Sequence, residues 1–198
     1  MRIMDALAEA EGLVEGQTFE GEDLSGAWLG RVEFDDCAFT HCSFAGSSAE
    51  RVCYDRCRFE SCDLSNAHFD KSSWRNCTLV ACRATGIDLR QSYLRTTTWR
   101  DSALNLANLD ECKLELVTMT NTRLTEAELT RMKLKTWTLS GCDLVGAEVA
   151  GTMLRGVDLS ECEVAGLRVS GTFAELRGVK ISASQAPDLV GLLGVTLV

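Results

Sequence analysis

The residue type best suited to chemistry in this sequence is cysteine, of which there are ten among 198 residues. Thiolates bind soft metals, form disulfides and act as redox nucleophiles. However, no CxxC pair is present, and the only histidines are His41 and His68, so the spacing of a zinc site is absent. Apart from Cys53, the cysteines recur at positions that differ by multiples of five: Cys37, Cys42, Cys57, Cys62, Cys77, Cys82, Cys112, Cys142 and Cys162. This spacing indicates small, buried side chains that stay reduced.

Carboxylates are the other candidates for catalysis. The pairs Asp35-Asp36 and Asp110-Glu111 are adjacent in sequence, which is typical of solvated surface turns. Catalysis needs titratable groups that converge in a concave site, and the chain has no insertion long enough to build one. We therefore predict that the protein is not an enzyme and needs neither cofactor nor metal.

The cysteines belong to a larger pattern with a period of five residues. A large apolar residue recurs at every fifth position from Phe19 to Val169, and only Ala49 and Ala84 interrupt the series. Two residues before each lies a second column of small or β-branched residues, which contains nine of the cysteines. A period of five fits neither a helix nor an ordinary strand, and it predicts a repeat structure. Four units would close a square, so that residues twenty positions apart stack.

Several units carry a recognisable motif, with Ala or Cys, then Asp or Asn, then Leu. Examples are Cys62-Asp-Leu-Ser-Asn, Ala107-Asn-Leu-Asp-Glu and Cys142-Asp-Leu-Val-Gly, and Ala27-Trp-Leu-Gly-Arg is a looser match. The chain resembles the pentapeptide-repeat proteins, whose motif is A(D/N)Lxx. The resemblance implies an all-β fold: a right-handed quadrilateral parallel β-helix (pentapeptide-repeat solenoid) of about eight coils, with a short C-terminal capping and dimerisation helix. Met132 and Trp137 are oversized for the small-residue column, so we expect one irregular coil there.

The two ends depart from the repeat. We expect an N-terminal lid over residues 1–16, the β-helix over 17–181, and a helix and tail over 182–198 that form the cap and dimer interface. The frame slips by two positions after Gly171, and Pro187, with Ser184 as its cap, is expected to open the helix. The tail is strongly apolar, through Leu189, Val190, Leu192, Leu193, Val195 and Leu197.

An apolar tail of this length is typical of a protein-binding surface. It resembles the C-terminal end of the Qnr and MfpA proteins, the quinolone-resistance branch of the family, in which a helix and tail pair two rods end to end. The resemblance implies a homodimer through the C-terminal tail, and a simple monomeric cap is the alternative.

Charge can be assigned to four walls, named here by the first large residue of each: Phe19, Leu24, Leu29 and Phe34. The chain has 29 acidic and 20 basic residues, a formal charge of -9. The Phe19 and Leu24 walls are each net negative by three, the Leu29 wall is nearly balanced, and the Phe34 wall is net positive by two. The expected partner-binding carboxylates on the two acidic walls are Glu20, Asp23, Glu60, Asp63, Asp101, Glu126, Asp143, Asp158, Glu161 and Glu163.

The acidic balance favours a basic protein partner over nucleic acid or an anionic membrane. The N-terminus does not look like a signal peptide, and no apolar window is long enough to span a bilayer, which predicts a cytoplasmic protein. Qnr and MfpA proteins are duplex-DNA mimics, so the resemblance implies binding to DNA gyrase, or to topoisomerase IV, and protection against fluoroquinolones or a natural gyrase poison.

Charge density limits this interpretation. A duplex of ~38 Å carries about 22 negative charges, whereas the two acidic walls supply six net charges. Mimicry would therefore depend on shape and on a few well-placed carboxylates. The main alternative is a structural or protein-interaction scaffold with an unrelated partner. Two further alternatives are nucleic-acid binding through the Phe34 wall and ice binding through the threonine ladder Thr78, Thr98, Thr118 and Thr138.

Overall fold

The computed structural model describes residues 2–9, 12–49, 51–192 and 194–195. A helix at each end, α1 (Ile3–Glu9) and α2 (Ala186–Leu192), flanks the repeat region. Two short 3-10 helices, Ala174–Leu176 and Ala183–Gln185, precede α2. The strands of the described residues are β1 (Leu13–Glu15), β2 (Thr18–Glu20), β3 (Glu33–Asp35), β4 (Ala38–Thr40), β5 (Cys53–Asp55), β6 (Arg58–Glu60), β7 (Ser73–Arg75), β8 (Thr78–Val80), β9 (Tyr93–Arg95), β10 (Thr98–Arg100), β11 (Lys113–Glu115), β12 (Val117–Thr120), β13 (Lys133–Leu134) and β14 (Trp137–Ser140).

The strands stack into two parallel sheets of seven, with the odd-numbered strands in one and the even-numbered strands in the other. Each residue pairs with the residue twenty positions later, as Phe34 does with Tyr54 and Trp99 with Met119. Isolated parallel bridges with the same spacing run along the Leu24 and Leu29 walls. The predicted parallel β-helix is therefore confirmed, although seven stacked strands make six full turns. The expected count of about eight was slightly high because regular strands end at Ser140.

The interior is filled by the large-residue column, and its aromatic part forms continuous stacks. The Phe39 and Phe59 rings lie 4.7 Å apart, and the Tyr54 and Trp74 rings lie 4.3 Å apart. Phe34 lies 5.3 Å from Tyr54 in the same stack, with the two rings nearly parallel. All five side chains are fully buried. Because equivalent positions stack in register, each of these five rings has an aromatic ring above or below it.

Most corners between walls use a left-handed residue. Glycine occupies some corners, but others hold residues such as His41, Leu106 and Leu116, with φ of 54°, 58° and 55°. This conformation costs a non-glycine residue roughly 1–2 kcal/mol. The hydrogen bonds between successive rungs, which this turn aligns, offset the conformational cost at each corner.

The small-residue column has a hydrogen-bonding role that its composition alone does not reveal. The Cys57 thiol donates to the carbonyl oxygens of Phe34 and Asp55, both at 3.3 Å. Thr97 occupies the equivalent slot, and its hydroxyl donates to the carbonyl oxygen of Trp74 at 3.1 Å. Nine of the ten cysteines are buried and all ten are free, while Cys53 is half-buried on the outside. Burial raises the pKa of Cys112 to about 12, so its thiol stays protonated at neutral pH.

The irregular coil lies where Met132 and Trp137 were expected to crowd the core. Strand β13 has two residues instead of three, and Leu134 is only half-buried. Thr136, at the following corner, is not left-handed. Trp137 is buried, but its indole Nε1 has no hydrogen-bond partner among the residues that the structure describes, and a recess of about 380 Å³ opens beside it. Overpacking of the small-residue slot accounts for this local loss of the repeat.

The C-terminal end closes the rod after the predicted two-residue slip. Asp158 pairs with Lys180, a step of 22 positions in place of the usual 20. The buried Gln185 amide donates to the carbonyl oxygens of Leu159, at 2.7 Å, and Cys162, at 2.5 Å. These bonds satisfy carbonyl groups that no further rung could reach. The expected cap at Ser184 was wrong, because the turn begins at Ser182, whose amide donates to Gln185 Oε1 at 2.7 Å.

Glu175 is a second buried polar residue at this end. Its Oε1 accepts a hydrogen bond from the Gly151 amide at 2.8 Å, and its Oε2 accepts one from the Ser170 hydroxyl at 2.9 Å. Burial alone would raise the pKa of Glu175, but these hydrogen bonds outweigh it and hold the pKa below its usual value. The carboxylate therefore joins the loop after the last regular coil to the coil beneath it.

Tyr54 gives a test of the aromatic interior. Its hydroxyl is buried, and no described residue offers it a hydrogen bond. We expect Tyr54→Phe to raise the free energy of unfolding by about 1 kcal/mol, because the ring stacks remain and an unsatisfied polar group is removed. Denaturant unfolding followed by circular dichroism measures the change. The control is Tyr93→Phe, which loses a 3.0 Å bond to Glu115 and should not gain stability. A clear loss of stability in Tyr54→Phe would contradict the expectation.

Candidate partner-binding surface

The exterior of the rod presents the ten predicted carboxylates on the Phe19 and Leu24 walls. Seven of them are exposed, while Glu60, Asp63 and Asp143 are half-buried. Their positions follow from the repeat, because residues on either side of each buried column residue point outward. The structure therefore places all ten on two adjacent walls, but it does not bring them into one uniform acidic surface.

Three of the ten carboxylates are neutralised by arginines on the same walls. Arg58 lies 3.0 Å from Glu60, and Arg83 lies 3.0 Å from Asp63. Arg100 lies 3.4 Å from Asp101, which also accepts a hydrogen bond from an asparagine amide. These three ion pairs fall in the middle coils. The middle of the acidic walls is therefore nearly neutral, which a count of net charge per wall did not show.

The carboxylates without an ion pair lie toward the two ends of the rod. Two of them, Glu20 and Asp23, belong to the first coil. The other five lie near the capped end and are named here the C-terminal acidic cluster. Asp143 and Glu163 occupy neighbouring rungs of the same wall. The cluster consists of Glu126, Asp143, Asp158, Glu161 and Glu163, none of which has an ion pair among the described residues.

Hydrogen bonds hold part of this cluster in place. Glu161 accepts a bond from the Ser140 hydroxyl at 2.7 Å, and Asp143 accepts one from the Thr125 hydroxyl at 3.1 Å. Asp158 accepts bonds from the Ser160 hydroxyl and amide, and these bonds lower its pKa. Oriented and ionised carboxylates are suited to cationic side chains of a partner.

The predicted dimer residues lie at the capped end beside this cluster. Leu189, Val190 and Leu192 are half-buried on α2, and Val195 is 51% exposed. Leu193 and Leu197 lie outside the described residues. Leu189 and Val190 line a mainly apolar groove of about 340 Å³ together with Phe173, Leu176, Arg177, Ile181 and Ala186.

Within the described ranges, no group of three or more His, Cys, Asp or Glu residues is arranged to hold a metal ion. None of the helices found in those ranges has the length and apolar character needed to cross a bilayer. A polar recess of about 350 Å³ does lie on the Leu24 wall, over Ala103 and between Arg83 and Arg123.

The fold defines a class: a parallel β-solenoid with a filled core. Family models agree. A model of the pentapeptide repeat region matches residues 52–129, and a model of pentapeptide repeats matches residues 138–166, together more than half of the chain. The chain belongs to the pentapeptide-repeat proteins, which are in general structural or interaction proteins.

Solved structures of this fold are similar to the chain over most of its length. A trypsin-treated variant of QnrB1, a plasmid-mediated fluoroquinolone resistance protein, is 27% identical, with 94% of this chain and 91% of that chain covered and a TM-score of 0.49. HetL, a pentapeptide-repeat protein involved in heterocyst differentiation regulation from the cyanobacterium Nostoc, is 17% identical, with coverages of 92% and 93% and a TM-score of 0.55. No curated protein matched the chain significantly.

Proposed function

We propose that the protein binds a type II topoisomerase, DNA gyrase or topoisomerase IV, on the surface that normally receives duplex DNA. Its binding would compete with DNA and protect the enzyme against fluoroquinolones or a natural gyrase poison. The partner comes from the resemblance of the repeat motif and tail to the Qnr and MfpA branch. The observation that supports a DNA-like role is the C-terminal acidic cluster, whose five carboxylates have no ion pair with any residue that the structure describes.

The carboxylates of this cluster are spaced at distances similar to those between DNA phosphates, whereas the average charge density of the two walls is much lower than that of DNA. Asp143 and Glu163 pair across adjacent rungs, which lie about 4.8 Å apart in a parallel sheet. Successive phosphates on one DNA strand lie about 3.4 Å apart along the axis. A basic DNA-binding surface would therefore meet a local row of negative charge at the capped end, even though the middle coils are nearly neutral.

Pairing two rods through the tail would extend the acidic surface. Because the C-terminal acidic cluster lies next to α2, an end-to-end homodimer brings the clusters of two copies to either side of the junction. The apolar groove beside Leu189 and the exposed Val195 provide the surface that a second copy would cover. A cytoplasmic location is part of the same proposal, since the topoisomerase acts on the chromosome.

The proposal is tested with purified protein in a gyrase supercoiling assay and a topoisomerase IV decatenation assay. We expect inhibition at micromolar concentrations, relief by added DNA, and less fluoroquinolone-stabilised cleavage complex. No effect on either enzyme across this range would refute the proposal. It would favour the scaffold alternative, which a pull-down lacking topoisomerase subunits would then support.

The dimer has its own test. We expect Leu192→Asp combined with Val195→Asp to convert a dimer into a monomer in sedimentation velocity, because two charges would enter an apolar junction. The matched control is Leu106→Asp with Val145→Asp, which changes two exposed apolar residues away from the tail. An unchanged dimer in the tail variant would place the junction elsewhere.

A further inference from the structure

The Phe34 wall, formed by the odd-numbered strands and continued by residues 153–156, is divided by sign of charge along its length. Its first three rungs carry five acidic residues and one arginine on the outside, Glu15, Glu33, Asp35, Asp36, Asp55 and Arg56. The following rungs carry six basic residues and one glutamate, Arg75, Arg95, Lys113, Glu115, Lys133, Lys135 and Arg155. The net charge of the whole wall conceals this division. We therefore call the Phe34 wall the bipolar wall.

Ion pairs within the chain do not remove the division. Arg56 pairs with Asp35, Arg75 with Glu33 and Asp55, and Arg95 and Lys135 with Glu115. Five charged residues of the bipolar wall are exposed and form no ion pair within the described part of the chain. These are Glu15 and Asp36 at the N-terminal end, and Lys113, Lys133 and Arg155 at the C-terminal end. The unpaired charges of these rungs are thus separated by sign, and the exposed corner residues Arg31 and Arg51 border the N-terminal rungs from the Leu29 wall.

The pattern is complementary to itself under a two-fold rotation about an axis that lies in the wall, parallel to the strands and between β7 and β9. This rotation makes the two rods antiparallel. The first rung of one copy then faces the last rung of the other, the second rung faces the last but one, and so on. Each residue keeps its position along the strand direction. In the two outermost rungs at each end, every outward residue that flanks the buried column then faces a complementary residue of the other copy. The opposed residues are Leu13 with Met153, Glu15 with Arg155, Glu33 with Lys133 and Asp35 with Lys135.

We propose that the bipolar wall docks a second copy of this chain, side by side and antiparallel. The two-fold makes each favourable pair occur twice, as in an isologous interface. Leu13 and Met153 are 48% and 51% exposed, so their contact also buries apolar surface. The opposed like charges fall in the four central rungs, where Arg75 meets Arg95 and Asp55 meets Glu115. Within the chain, Asp55 already pairs with Arg75 at 3.3 Å, and Glu115 pairs with Arg95 at 3.9 Å.

The same pattern disfavours other arrangements. Parallel rods facing each other through this wall would bring acidic end against acidic end and basic end against basic end. Duplex DNA would meet a repulsive N-terminal third. The surface is small: it has seven strands spaced about 4.8 Å apart, and each strand is at most three residues long. Its interface is therefore at the small end of specific interfaces, and we expect weak, salt-sensitive association at high micromolar concentration. This contact is separate from the tail and does not depend on topoisomerase binding.

The first measurement is sedimentation equilibrium of the Leu192→Asp, Val195→Asp variant, so that tail pairing does not contribute. We expect self-association at 25 mM salt that weakens by about tenfold or more at 300 mM. A species that stays monomeric at low salt and millimolar concentration would overturn the proposal.

Charge exchange then tests the arrangement, in the same background. Lys133→Glu with Arg155→Glu, and separately Glu15→Lys with Glu33→Lys, should each weaken self-association by about tenfold or more, because like charges then oppose one another. An equimolar mixture of the two variants should associate again, since each altered end faces a complementary end. Combining all four substitutions in one chain should restore homodimers for the same reason.

The matched control is Lys71→Glu with Arg123→Glu, which changes net charge by the same amount as Lys133→Glu with Arg155→Glu but lies on other walls. It should leave association unchanged apart from a small general repulsion. Circular dichroism must show that every variant keeps the fold. If the mixture of the two variants fails to associate, or if the control weakens association as much as the test variants do, the antiparallel pairing is wrong.

Discussion

Trp74→Ala is expected to lower the free energy of unfolding by about 3–5 kcal/mol, the usual cost of truncating a buried aromatic residue. Trp74 is fully buried in the middle of the aromatic stacks, with ring distances of 4.3 Å to Tyr54, 5.5 Å to Phe59 and 6.4 Å to Trp99. Its Nε1 donates to the Ser72 hydroxyl at 2.8 Å. Neighbouring rungs are fixed by hydrogen bonds and cannot close the cavity. Denaturant unfolding measures the change.

The matched control is Trp28→Ala. Trp28 is 60% exposed on the Leu29 wall, so its removal should change the free energy of unfolding by less than about 0.5 kcal/mol. Equal effects of the two substitutions would contradict the inward assignment of the large-residue column. In a repeat protein, Trp74→Ala is also expected to reduce cooperativity, because it weakens contacts between central coils that join the two ends.

Glu161→Lys combined with Glu163→Lys is expected to raise the concentration needed for gyrase inhibition by about tenfold or more, as two exposed charges are reversed at a charged interface. Both residues belong to the C-terminal acidic cluster and are exposed. Their loss should leave the fold intact, because neither side chain contributes to the core. Inhibition of supercoiling, compared at one fixed salt concentration, measures the effect.

The control for this prediction is Asp70→Lys combined with Glu128→Lys. It changes net charge by the same amount on the Leu29 wall, away from the C-terminal acidic cluster. We expect inhibition by this variant to stay within about twofold of the unaltered protein, since charges beyond the contact act only through screened, long-range forces. If both variants lose inhibition equally, net charge rather than the C-terminal acidic cluster is responsible.

The fold was predictable because one local rule is repeated at a constant spacing of five residues. The spacing from Phe19 to Val169 specified which residues point inward, which stack, and where the two-residue slip falls after Gly171. The irregular coil at Trp137 was also predictable, since side-chain volume alone decides whether a residue fits the small slot. The cap at Gln185 was missed, because a single side chain that reaches two carbonyl groups leaves no periodic signal.

The candidate surface was less predictable than the fold. Assigning charges to walls identified the ten carboxylates, but pairing between rungs depends on where each side chain extends. The ion pair of Arg83 with Asp63 joins residues twenty positions apart, and that of Arg100 with Asp101 joins neighbours. Summing charge over a whole wall also concealed how charge varies along the axis. A sum taken coil by coil would have shown the separation on the bipolar wall.

The constant step of twenty residues has a consequence for the length of the molecule. Among the described residues, the backbone of each coil hydrogen-bonds with the coil before it and the coil after it, and the residues at each end bond to the nearest coils. Deleting or duplicating one twenty-residue unit in the middle should therefore shorten or lengthen the rod by about 4.8 Å and leave both ends intact. Homologues of different size are then expected to differ by whole coils, so that their lengths form a discrete series.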